Sequence, residues 1–218
     1  MALPHGVQLH GRLPARHQHH ARHPRGVRRD RGPRLLSEPL PADAAGPEAE
    51  AGPSRTYPRL LIRTDGAARG NPGPASAGAV LIDASRPGHE APDAPPVAVV
   101  ARALGVRTNN VAEYAGLVLA LREAHRIGGE EVDLRLDSLL IVNQLNGRWR
   151  VKDAKLQGFF AEALRHLRAF RRWSATHEPR ARNHAADALA NLALDDPDGA
   201  ARIERVIRER SGVAEPGA

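Results

Sequence analysis

Residues 59–83 read Arg-Leu-Leu-Ile-Arg-Thr-Asp-Gly-Ala-Ala-Arg-Gly-Asn-Pro-Gly-Pro-Ala-Ser-Ala-Gly-Ala-Val-Leu-Ile-Asp. In 59–65, Leu60, Ile62 and Thr64 alternate with Leu61, Arg63 and Asp65, which is the period of a strand. Gly66, Gly70, Pro72, Gly73 and Pro74 make 66–75 a turn region, and 76–83 is a second, nearly all-apolar strand. A Pro-rich loop (85–96) and a third apolar strand (97–104) follow. Short connections make these three strands an antiparallel meander.

Further along, apolar residues at 111, 114, 115, 118 and 121 mark a helix over 111–126. Val132, Leu134 and Leu136 alternate in a fourth strand, and a short helix covers 139–145. A longer helix places Leu156, Phe160, Ala163, Leu164 and Leu167 on one face. Residues 173–177 form a fifth strand and 183–194 a last helix. Strands reached through helices run parallel to their predecessors. The expected fold class is therefore α/β, a mixed five-stranded sheet flanked by helices, spanning 57–196.

Residues 1–56 differ in kind. Residues 1–34 carry eight Arg and six His against Asp30 alone, and 39–53 are rich in Pro, Ala, Gly and Glu. Neither part has a periodic apolar pattern, so 1–56 reads as a disordered tail. The cluster His17, His19, His20 and His23 reads as part of that solvated tail rather than as a metal site. Residues 197–218 read as a C-terminal tail, with a short helix within it as the alternative.

Composition narrows the function. The 218 residues include no Cys, which excludes disulfides, thiolate metal sites and a cysteine nucleophile. Seven aromatics are too few for a stacking platform along single-stranded bases. No apolar run approaches the ~18 residues of a membrane span, and no signal-peptide core opens the chain, so an intracellular, cytoplasmic protein without membrane contact is expected. The net charge of +7 points to a polyanionic partner.

Four carboxylates stand at element boundaries: Asp65 ending the first strand, Glu113 in the first turn of the first long helix, Asp137 ending the fourth strand, and Asp187 opening the last helix. Each alone has a structural explanation. Asp65 suits the turn before Gly66, Glu113 suits a capping box with Asn110, Asp137 suits an N-cap, and Asp187 suits the helix dipole. Adjacent, parallel first and fourth strands would bring Asp65 and Asp137 to one sheet edge.

The segments carrying these residues resemble the type 1 ribonuclease H family. They are Thr64-Asp65-Gly66 through Gly70-Asn71-Pro72-Gly73 to Gly78, then Thr108-Asn109-Asn110-Val111-Ala112-Glu113-Tyr114, then Leu136-Asp137-Ser138, and finally His177 through Asn183 to Asp187-Ala188-Leu189-Ala190. They occur in the family's order across roughly 60–194.

The resemblance implies an endonuclease that hydrolyses the RNA strand of RNA–DNA hybrids. Asp65, Glu113, Asp137 and Asp187 would hold two Mg²⁺, or Mn²⁺, and His177 would assist catalysis. Hard divalent cations prefer carboxylate oxygens, and a two-metal site suits in-line displacement at phosphorus. It further implies substrate contacts from Gly66, Asn71, Thr108, Asn109 and Asn110, where amides can both donate to and accept from a 2′-hydroxyl. Gly70 and Gly73 would let backbone approach the nucleic acid.

Two features depart from the better-known members. The turn Glu178-Pro179-Arg180 replaces a Gly-flanked loop, so Arg180 competes with His177 for its role. Residues 146–152 also run straight into the next helix, leaving no room for a basic handle, so Arg148, Arg150, Lys152 and Lys155 are candidate phosphate contacts. A monomer is expected. The alternatives are a 3′–5′ exonuclease of the same broad fold, disfavoured because Asp65 lacks an Asp-x-Glu partner, and a nucleic-acid-binding module without catalysis, disfavoured by the intact carboxylate set.

Overall fold

The computed structural model describes residues 56–212. The expected N-terminal tail, with its His cluster, lies outside the described residues up to residue 55, as do residues 213–218.

Leu60–Ala68 (β1), Gly73–Asp83 (β2) and Ala98–Arg107 (β3) form the antiparallel meander. The turn between β1 and β2 is shorter than the sequence suggests. Gly66, Ala67 and Ala68 remain paired with Ala77, Ser76 and Ala75, leaving only residues 69–72 to reverse the chain. Asp65 therefore lies inside β1 rather than at its end. Glycine's weak strand preference is overridden here by packing: a Cβ on Gly66 would sit 2.2 Å from the backbone nitrogen of Glu113.

Glu131–Leu136 (β4) runs parallel to β1, and Arg172–His177 (β5) parallel to β4, giving the sheet order β3-β2-β1-β4-β5. The last parallel pair between β1 and β4 is Thr64 with Leu136. Asp65 and Asp137 are the next residues on each chain, so the register delivers both to the carboxyl edge of the parallel strands. Ligand sites in sheets of this kind form at that edge.

Asn109–Arg126 (α1), Leu139–Leu145 (α2) and Ala154–Ala169 (α3) precede β5; a single 3-10 turn at Arg180–Arg182, then His184–Asp195 (α4) and Pro197–Ser211 (α5), follow it. Alternation along the strands divides the core. Leu60 and Ile62 pack with α1 and α3, whereas Leu61, Val80, Ile82 and Val99 pack with Leu189 and Ala193 of α4 and Ala200 of α5. Close helix contact requires glycine again at Gly78, where a Cβ would lie 2.2 Å from the carbonyl oxygen of Ala186 in α4.

Two expectations are corrected. The buried stripe of α3 is Leu156, Phe159, Ala163 and Leu167, with Phe160 only half-buried at its margin. In the C-terminal segment, 197–211 also form one 15-residue helix rather than a short one. Asp196 caps α5 by accepting from the Gly199 N–H at 2.8 Å, and Pro197 opens it. Buried Glu204 then accepts a 2.7 Å hydrogen bond from the Ala101 N–H of edge strand β3 and pairs with Arg102. A carboxylate in the buried stripe conceals the helix from a search for apolar periodicity. Among the described residues no helix is long and apolar enough to cross a membrane.

Candidate active site

Four separate elements deliver the four carboxylates. Asp65 comes from the middle of β1 and Asp137 from the residue after β4. Asp187 lies in the first turn of α4. Glu113 lies beyond the first turn of α1, because the N-cap is Thr108, whose hydroxyl accepts from the Val111 N–H at 3.4 Å. A capping box with Asn110 is therefore not formed. Asn109 instead donates its side-chain amide to Glu113 Oε1 at 2.9 Å. Asp137 is likewise not a cap, since Ser138 holds the N-cap position of α2. With both capping roles taken elsewhere, the carboxylates of Glu113 and Asp137 line the cavity between these elements.

All four carboxylates line one cavity of about 460 Å³, together with Gly66, Asn109, Ser138, His177, Arg180 and Asn191. Asp65 is the most deeply set, at 6 % exposure. Burial, then the negative charges of Asp137 and Asp187, push its carboxyl from 3.8 up to about 7, and Arg180 only partly offsets this. Burial also raises the Glu113 carboxyl, against the hydrogen bonds of Ser138 and Asn109. The cavity is short of positive charge.

Arg180 supplies what cationic charge there is. Its guanidinium donates to Asp187 Oδ1 at 2.7 Å, and that bond together with the carboxylates of Asp65, Asp187 and Asp137 holds its proton more tightly. Among the described residues, no three His, Cys, Asp or Glu side chains are gathered into a ready-made metal site. The donor set nonetheless suits a hard divalent cation: four carboxylates, one of them carrying an uncompensated burial cost, open to solvent on one side. These four residues could hold such ions.

Of the expected substrate contacts at the start of α1, Asn109 lines this cavity and Thr108 lines a separate groove. Asn71 Oδ1 accepts from the Asn109 N–H at 3.2 Å, tying the β1–β2 turn to the helix N-terminus, and Asn110 is exposed. Gly66 lines the cavity but is buried. Exposed His177 stands at the rim, at the end of β5.

The family described as Reverse transcriptase-like matches residues 63–193. A protein of Halobacterium salinarum named ribonuclease HI is 46 % identical over 138 residues, 63 % of this chain and 65 % of that protein. A bifunctional protein of Mycobacterium tuberculosis is 42 % identical over 137 residues, 63 % of this chain and 36 % of that protein. Among solved structures, LC11-RNase H1 in complex with an RNA/DNA hybrid is 36 % identical with a TM-score of 0.57, covering 63 % of this chain and 98 % of that one. The chain belongs to the type 1 ribonuclease H family. It spans less than two thirds of the length of these two curated relatives.

Three residues around this site, Asn191, Asn183 and Tyr114, have no role assigned from the sequence. Asn191 donates to Asp187 Oδ2 at 3.2 Å and to the Asp187 carbonyl at 2.9 Å. Its position four residues after Asp187 on a helix was the available signal. Buried Asn183 donates to the Thr64 carbonyl at 2.9 Å, fastening the start of α4 to β1 next to Asp65. Tyr114 donates to Gln144 at 2.5 Å, locking α1 to the helix that follows Asp137. The last two bonds join residues 119 and 30 positions apart, so no local pattern announces them.

Proposed function

We propose that this protein is a divalent-cation-dependent endonuclease that hydrolyses the RNA strand of RNA–DNA hybrids. The observation that carries the reading is the arrival of Asp65, Glu113, Asp137 and Asp187, from four different elements, at one open cavity. The family membership and a relative solved with an RNA/DNA hybrid support the same substrate.

Asp65, Glu113, Asp137 and Asp187 would hold two Mg²⁺, or Mn²⁺, ions, which when bound supply activation of the attacking water and stabilisation of the charge on the departing oxygen. The chain's own residues do the rest. The start of α1 offers Asn109, Asn110 and the Asn71 turn, whose amides donate and accept as a 2′-hydroxyl requires. Thr108 adds a hydroxyl at the positive end of that helix, suited to a phosphate. Arg180 can exchange its bond to Asp187 for a phosphate oxygen once the carboxylates engage cations. His177, at the rim, would carry a proton.

The reading is tested by incubating the protein with end-labelled RNA–DNA, RNA–RNA and DNA–DNA duplexes, with Mg²⁺ and with a chelator. Cleavage confined to the RNA strand of the hybrid, and abolished by the chelator, is expected. Cleavage of the DNA duplex at a comparable rate, or undiminished activity in chelator, contradicts it.

A further inference from the structure

The turn that carries Arg180 is held at both ends by a charge network outside the carboxylate site, centred on buried Arg63 and Glu178 and reaching exposed Arg182. Glu178, directly after β5, donates its backbone N–H to the Leu136 carbonyl at 2.9 Å, beside Asp137. Its carboxylate accepts from Arg63 Nε at 2.8 Å on one oxygen and from Arg182 Nε at 2.7 Å on the other. Arg63 is 1 % exposed and lies on the central strand two residues before Asp65. The guanidinium groups of Arg63 and Arg182 both also donate to the Glu90 carbonyl of the β2–β3 loop, at 2.9 and 2.6 Å.

Desolvating a fully buried arginine is unfavourable unless its donors are matched, and a well-packed apolar pair would serve stability equally well. This one divides its donors between Glu178, at the start of the Arg180 turn, and the Glu90 and Ala91 carbonyls of the β2–β3 loop. Residues 178 and 182 are fixed to β1 and to the β2–β3 loop, and Arg180, halfway between them, is largely exposed yet directed onto Asp187. An arginine side chain loses rotamer entropy when it is fixed, so anchoring the turn reduces what ordering Arg180 requires.

We propose that Arg63 and Glu178 are positioning residues that hold Arg180 over the carboxylate site. The proposal deepens the hybrid-cleavage reading and rests on it for its kinetic part. Neither residue touches substrate; both act through the turn.

The test combines Glu178→Gln with Arg180→Ala. Glu178→Gln keeps the shape and removes the charge that both arginines share. With Arg180 present it should lower kcat on the RNA–DNA hybrid about tenfold; in an Arg180→Ala background the same change should cost less than twofold, since the residue being positioned is gone. Equal losses in both backgrounds would mean a merely structural role and overturn the proposal. Should Glu178→Gln fold poorly, Arg63→Met/Glu178→Met removes both charges together and carries the same expectation.

Side-chain ¹⁵N–¹H spectra of the metal-free protein give a readout independent of cleavage. The Arg180 guanidinium should have its own resolved signal in the parent protein and move to the free-arginine position in Glu178→Gln. An unchanged Arg180 signal overturns the positioning role. A parent protein that leaves hybrids intact overturns the functional reading instead, and the spectra still decide the positioning.

Discussion

Replacing Asp65 by Asn should stabilise the metal-free protein, and increasingly so as pH rises. The Asp65 carboxyl is buried beside Asp137 and Asp187 and is pushed from 3.8 to about 7. Between those values the folded protein keeps a proton that the unfolded chain releases. Stability therefore falls as pH rises across that window and levels off above about 7, at a slope of at most about 1.4 kcal/mol per pH unit. From pH 5 to pH 8 the loss amounts to roughly 2–3 kcal/mol. Asn cannot ionise, so the variant lacks this slope. At about 2–4 °C per kcal/mol for a domain of this size, the gap in Tm between variant and parent should widen by roughly 5–10 °C. Thermal melts in EDTA at pH 5, 6, 7 and 8 measure it. Added Mg²⁺ should then narrow the gap at pH 8, because the parent binds it and the variant binds it weakly. A gap of the same size at pH 5 and pH 8 would refute the reasoning, since Asp65 would then ionise like an exposed carboxylate.

Three further outcomes follow from particular contacts. Arg180→Ala should lower kcat on the hybrid more than His177→Ala does, because Arg180 bonds Asp187 whereas His177 stands at the rim; the reverse order in steady-state kinetics assigns the role to histidine. Gly66→Ala forces a Cβ to 2.2 Å from the Glu113 backbone and should destabilise by about 1–3 kcal/mol or more in urea unfolding, so an unchanged midpoint would show that α1 can move away. Glu162 is held down to about 2, first by His166 and also by Arg122, so its contribution is present above its ordinary value of 4.5 and is lost as pH falls toward 2. Glu162→Gln should therefore cost about 1–2 kcal/mol near pH 7 and little near pH 2–3, and a cost independent of pH in acid titrations of stability would contradict this.

The strands and helices were legible because their apolar periods are plain: Leu60 and Ile62 against Leu61, Val132 and Leu134 in β4, and the 111–121 stripe of α1. The antiparallel meander and the parallel sense of the later strands followed from loop lengths and helical crossovers, whereas the placement of β4 beside β1 comes from the structure. What was not legible depends on contacts between distant residues. Gly66 to Ala68 look like turn and are strand, because α1 lies over Gly66 and the Ala75–Ala77 segment of β2 keeps the pairing. Residues 197–211 look like tail or a short helix and are one 15-residue helix, because Glu204 is buried against an edge-strand N–H at Ala101. Asp65, Glu113, Asp137 and Asp187 could be singled out as a set, since each stands beside a Gly, a helix start or a strand end. The support around them could not: Asn183 reaching Thr64 and Arg63 reaching Glu178 join residues more than a hundred positions apart.

Under the proposed function, Asp65, Glu113, Asp137 and Asp187 would hold the cations on which hybrid cleavage depends. This dependence is tested most directly by cleavage of an end-labelled RNA–DNA hybrid at saturating Mg²⁺, comparing the parent protein with Asp65→Asn shown by its melting curve to be folded. Asn preserves the shape of the side chain and removes the negative charge at the most buried point of the site. The account predicts RNA-strand cleavage by the parent and none above background by the variant. Parent-like turnover by the folded variant would contradict it.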